Sequence, residues 1–119
     1  MGSGTANISN NNISNNENGV FVYAGSISSA NTLAFVFGNV FTDNLHDGFY
    51  AELGASSPKS LTATVGGTQN GQANSFSGHG FHGISCLGSP IKLTCPSGGN
   101  SFFNNVDDIE SACPNTCVK

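Results

Sequence analysis

The chain has 119 residues, a length suited to one domain with a modest core, and it carries a formal net charge of −4 with only 8% charged residues. Its three basic residues are all lysines, Lys59, Lys92 and Lys119, so no cationic surface exists to neutralise phosphates, and neither nucleic acid nor anionic membrane is expected as a partner. No apolar run approaches the roughly 20 residues that span a bilayer, so membrane insertion is not expected either.

Composition also argues against disorder. The 16 glycines and abundant asparagines call for frequent turns, but 9 phenylalanines sit among regularly placed Val, Ile and Leu, and disordered chains are poor in such residues. Residues 1–6, opening Met1-Gly2-Ser3-Gly4, read as an artificial or disordered lead without a hydrophobic signal segment.

From there a unit recurs four times: Asn-x-apolar-x-x-Asn, then a Gly a few positions on, then alternating apolar residues. Its first copy is Asn11, Ile13, Asn16, Gly19, Val20 and Val22, and its second Asn39, Phe41, Asn44, Gly48, Phe49 and Ala51. The third is Asn74, Phe76, His79, Gly83, Ile84 and Cys86, and the fourth Asn100, Phe102, Asn105, Asp108, Ile109 and Ser111. Two positions depart from the pattern, His79 standing for Asn and Asp108 for Gly. Between the copies lie Leu33 to Phe37, Leu61 to Val65 and Ile91 to Cys95, each closed by Gly or Pro.

Period-two alternation bounded by turn residues is a strand signal, and no segment sustains a helical period. The leading asparagines are 28, 35 and 26 residues apart, a variation in loop length that a solenoid tolerates because its strand frame stays constant. The expected fold is therefore all-β: a right-handed parallel β-helix of about four coils over residues 7–112, with three short strands per coil and a Cys-containing cap at 113–119. Stacking places equivalent residues about 4.8 Å apart. Ile13, Phe41, Phe76 and Phe102 should form one inward column, and Val20, Phe49, Ile84 and Ile109 another. Asn11, Asn39, Asn74 and Asn100 should occupy a tight turn, where Asn tolerates left-handed backbone, with Gly19, Gly48 and Gly83 at the corner before the next strand.

The four cysteines, Cys86, Cys95, Cys113 and Cys117, lie in the last third of the chain. Their even number in a Gly/Asn-rich chain favours disulfides and an oxidising compartment, hence a secreted or surface location. A structural zinc site usually shows two close Cys pairs, whereas only one is close here. All three pairings stay open.

The segments 39–49 (NVFTDNLHDGF) and 74–84 (NSFSGHGFHGI) resemble the repeat of the right-handed parallel β-helix, or pectin-lyase-like, superfamily. The resemblance spans residues 7 to 112. It implies the fold, but not one function, since that fold serves polysaccharide lyases, glycoside hydrolases, tailspikes and adhesins. Gly78-His79-Gly80 and Asp107-Asp108 resemble pieces of the polygalacturonase family, but in the reverse order and without any arginine. His79, Asp107 and Asp108 are thus the catalytic candidates if the chain is an enzyme. The simpler reading makes His79 a turn-ladder residue in line with Asn16, Asn44 and Asn105.

Two polar or aromatic lines carry the binding expectation. Asn18, Asp47, His82 and Asp107 share one column position before the corner glycines, where carboxylate and amide oxygens suit a sugar or a hard cation such as calcium. No other metal or cofactor is expected. Phe21, Tyr50, Ser85 and Glu110 should point outward from one strand of each coil, and stacked aromatics beside a carboxylate suit the apolar face of a sugar ring, unless the loop from Gly54 to Ser60 covers them.

The expected role is a non-catalytic extracellular or surface module, structural or glycan-binding in the manner of an adhesin or tail fibre, with Phe21, Tyr50, Asp47 and His82 as ligand contacts. The alternatives are a fragment of a polysaccharide-degrading hydrolase or lyase, and a scaffold that self-associates end to end through its open coils.

Overall fold

The computed structural model describes residues 4–25, 32–54, 60–88, 90–114 and 117. Among these residues there are twelve strands and no helix. The strands are β1 (Gly4–Ser9), β2 (Asn12–Ser14), β3 (Val20–Ala24), β4 (Thr32–Phe37), β5 (Val40–Thr42), β6 (Phe49–Leu53), β7 (Leu61–Val65), β8 (Asn74–Ser77), β9 (His82–Leu87), β10 (Ile91–Thr94), β11 (Asn100–Phe103) and β12 (Asp107–Ile109). Every third strand joins the same sheet, giving three four-stranded parallel sheets in the orders β1-β4-β7-β10, β2-β5-β8-β11 and β3-β6-β9-β12. The chain is a β-solenoid that returns to its first sheet three times. β1 reaches back to Gly4, into the segment read above as a lead, and pairs with β4 from Gly4↔Thr32 to Ser9↔Phe37.

In-register parallel stacking turns sequence repetition into columns. Ile13, Phe41, Phe76 and Phe102 are successive partners, as are Val20, Phe49, Ile84 and Ile109. Phe41 and Phe76 are fully buried and stack at 4.7 Å with their planes 2° apart, and Phe76 stacks on Phe102 at 5.4 Å. Such a ring column dominates the apolar burial of a small core, and losing one ring costs about 3–5 kcal/mol. The third sheet-facing column, Ala34, Ala63 and Leu93, is buried as well. Ile8, Ile13, Phe102 and Ile109 are only partly buried, since each belongs to an end strand with a neighbour on one side only.

The corner glycines are needed for space. Gly19, Gly48 and Gly83 do not adopt positive φ; instead, a Cβ on Gly48 would stand 2.5 Å from Phe76 Cδ1 and one on Gly83 2.8 Å from Phe102 Cδ1, the ring of the following coil in each case. Asp108 occupies the equivalent place in the last coil, which no further Phe overlies. The departure from Gly at that position follows from its place in the stack.

The asparagine ladders bond from coil to coil. Asn39 Oδ1 accepts the Asn11 N–H at 3.0 Å, Asn74 Oδ1 the Asn39 N–H at 2.9 Å, and Asn100 Oδ1 the Asn74 side-chain amide at 3.0 Å. Each amide also donates to a carbonyl one coil back: Asn39 to Ile8, Asn74 to Val36 and Asn100 to Val65. The left-handed backbone expected at these asparagines lies elsewhere. It falls on the residue before the ladder position, at Asn10 and Gly38, and in the second ladder at Asn15, Asp43, Gly78 and Asn104 with φ between 50° and 71°. The preceding residue bends the chain, and the ladder side chain is thereby turned along the stack to bond its neighbours.

Cys86 pairs with Cys113 and Cys95 with Cys117. All four are buried in the core cluster, and Cys117 lies as a parallel bridge beside Cys95, so the two C-terminal cysteines are tied back to the coils. Two disulfides imply an oxidising environment.

Candidate functional site

The outer face of the β3-β6-β9-β12 sheet and the turns that enter it form a cleft of about 320 Å³. The strands position its walls by register. Val20↔Phe49 and Phe49↔Ile84 face the core, so alternation sends Phe21, Tyr50 and Ser85 to the other side, where Phe21↔Tyr50 and Tyr50↔Ser85 are partners. The rings of Phe21 and Tyr50 stack at 5.0 Å with planes 11° apart, and Phe21 is 53% exposed. Tyr50, Ser85 and Glu110 line the cleft. The aromatic column therefore ends at a serine, with the cleft beginning where a third ring would stand.

Below the strand, the turn column is a second ladder of side chains onto backbone. Asn18 Oδ1 accepts the Asp47 N–H at 3.2 Å, and Asp47 Oδ1 accepts the His82 N–H at 3.0 Å. The same Asp47 oxygen lies 3.0 Å from His82 Nδ1. An attractive contact requires a proton on Nδ1, so a neutral His82 ring keeps its lone pair on Nε2. Asp47 is 8% exposed.

Glu110 is anchored in the same manner. Its Oε2 accepts the Ser85 hydroxyl at 2.6 Å and the Cys86 N–H at 2.9 Å. Ser85 is buried by this contact rather than exposed as the strand alternation alone implied. The Tyr50 hydroxyl donates to Glu52 at 3.0 Å, and burial, that bond and the negative charges of Glu52, Asp47 and Glu110 push its phenol up to about 12.

Of the expected contacts, Tyr50, Asp47 and His82 line the cleft together and Phe21 stacks at its edge. The catalytic candidates do not gather. His79 is 2% exposed, fixed in the second asparagine ladder, and does not line the cleft. Asp107 pairs with His82 in register but stays exposed on the last strand, and Asp108 accepts the Asn105 side-chain amide at 3.2 Å. Burial holds the His79 imidazole below its usual range, against the opposing pull of the Asp47 and Asp43 charges. Residues 55–59 of the loop expected as a cover lie outside the described residues.

Besides Leu87, three cleft residues escaped the sequence reading: Glu17, His46 and Phe81. They stand one residue before Asn18, Asp47 and His82, so the same alignment would have found them. Their backbones form a ladder, His46 N–H to Glu17 and Phe81 N–H to His46. His46 Nδ1 lies 3.5 Å from Glu17, and its ring meets Phe81 edge-on at 5.2 Å.

Among the described residues no group of three His, Cys, Asp or Glu is arranged to hold a metal ion. No family model, no curated protein and no solved structure matches the chain.

Proposed function

We propose that the chain is a non-catalytic glycan-binding module of a secreted or cell-surface protein, in the manner of an adhesin or tail fibre. The observation that carries this reading is the interrupted aromatic column: Phe21 and Tyr50 stack, Ser85 follows, and the cleft opens at that point. A pyranose ring is about as wide as the missing phenyl and prefers an aromatic face, while hydroxyl-rich edges need acceptors such as those of Asp47 and Glu110. The disulfides support an exported setting. The resemblance of the coil to the pectin-lyase-like repeat supports it too, since much of that superfamily handles polysaccharide.

A polysaccharide hydrolase or lyase is the second reading. It draws on the Asp47–His82 pair, which prepares His82 Nε2 as a base. His79, closed within the ladder, lends it nothing.

Retention on a panel of neutral and acidic polysaccharides, with mass spectrometry of the supernatant, separates the two. Retention without products, lost in Tyr50→Ala, is the expected result. Released oligosaccharides would transfer the case to the enzyme, and neither retention nor products would leave a structural or assembly role.

A further inference from the structure

The charge of the cleft narrows its ligand. Glu17, Asp47 and Glu110 line it, and among the described residues no lysine or arginine does. Lys92 belongs to β10 in a different sheet. Burial first, and then the charges of Glu52, Asp47 and Glu110, act against ionisation of the Tyr50 phenol. With His46 and His82 neutral, a carboxylated sugar entering this space would set like charges together without a compensating cation, which a recognition site uses to reject a ligand.

The two inner carboxylates are also prepared in a common way. The described bonds to Asp47 fall on Oδ1, from the His82 N–H and ring, and those to Glu110 fall on Oε2, from Ser85 and the Cys86 N–H. Each carboxylate is thus oriented through one oxygen, with the other outside those bonds. Oriented carboxylate oxygens beside an aromatic face are the acceptors that a primary ammonium needs, combining charge-assisted hydrogen bonds with cation–π attraction.

We infer that the cleft selects sugars bearing a protonated amine, such as de-N-acetylated hexosamine, seating the ring on Tyr50 and directing the ammonium to Asp47 and Glu110. This inference rests on the glycan-binding reading and adds a chemical class to it. Acetylating the amine removes the charge and fills the space with an amide, and uronates reverse the charge altogether.

Calorimetric titration of the purified chain with three probes tests it: a glucosamine tetramer at a pH where its amines are protonated, an N-acetylglucosamine tetramer and a galacturonate tetramer. The amino sugar should bind about tenfold or more tightly than the acetylated one, and the uronate not measurably. Glu110→Gln should erase that preference while keeping weak binding of both neutral and amino sugars, and Tyr50→Ala should weaken all binding; circular dichroism confirms that each variant is folded. Equal affinity for amino and acetylated probes, or preference for the uronate, overturns the inference and leaves the glycan-binding reading standing. Binding of no probe and of no polysaccharide on the panel removes both.

Discussion

His79 Nδ1 accepts the backbone N–H of Asn44 at 3.3 Å, performing in the third coil the task of an asparagine Oδ1. On either side of it, Asn44 Oδ1 accepts from Asn16 and Asn105 Oδ1 accepts from His79. Accepting at Nδ1 puts the proton of the neutral ring on Nε2, and that nitrogen is buried with no hydrogen-bond partner among the described residues. An asparagine amide would instead reach the carbonyl one coil back, as Asn44 does to Ile13 and Asn105 to Phe76.

His79→Asn should therefore stabilise the protein. An unpaired buried N–H is replaced by a bonded one, a gain of about 1 kcal/mol and a rise in Tm of about 3–5 °C, net of lost ring packing. His79→Ala, which also strands the Asn44 N–H, should cost about 2–3 kcal/mol. Thermal and urea unfolding of the three proteins measures both changes.

The same ladder predicts a pH dependence. Protonating His79 converts its Nδ1 acceptor into a donor facing the Asn44 N–H, and burial accordingly lowers its affinity for the proton in the folded state. The unfolded chain, with His near its ordinary value of about 6.5, binds that proton more readily. The stabilising contribution is full above about pH 6.5 and is lost as pH falls from there through the lowered folded value. Comparing the unfolding free energy at about pH 8 and about pH 5 should show a drop that is smaller in His79→Asn. Taking the difference between the two proteins isolates the contribution of His79.

Position in the stack decides the cost of a methyl group at the corner. Gly48→Ala places Cβ against Phe76, His79 Nε2 and the Gly83 carbonyl, and Gly83→Ala places it against Phe102 and the Asp108 carbonyl. Each should lose about 2 kcal/mol through overpacking. Asp108 already carries a Cβ at the end of the same column, so Asp108→Ala adds no atom there and should escape this overpacking cost. Denaturant midpoints that ranked the three alike would contradict the role given to the ring column.

The disulfides close loops with sequence separations of 27 and 22 residues. Replacing either pair by alanine should lower stability by about 3 kcal/mol, chiefly by freeing the unfolded chain. Digestion without reduction, followed by mass spectrometry, should recover Cys86 with Cys113 and Cys95 with Cys117; other pairings would refute this connectivity.

Much of the fold was legible because the solenoid stacks its coils in register. Asn39 and Asn74 are 35 residues apart yet directly bonded, and a repeat search brings them together for the same reason that the backbone does. The columns through Phe41 and Phe49, and the polar lines through Asp47 and Tyr50, were readable on that ground. The corner was less so. Local preference assigned the left-handed turn to ladder asparagines such as Asn11 and Asn39, whereas Asn10 and Gly38, one residue earlier, make it, because adjacent residues rich in Asn and Gly offer several places where a bend is inexpensive.

Residue order alone therefore settled which side chains share a column, since period-two alternation and a repeated turn depend only on neighbours along the chain. The partners across columns were decided by tertiary structure. Which of three cysteine pairings forms, how Glu110 turns under Ser85, and why Gly48 needs to be glycine all depend on distances between coils and on the rings that fill them. Those distances arise only when the stack closes around its core.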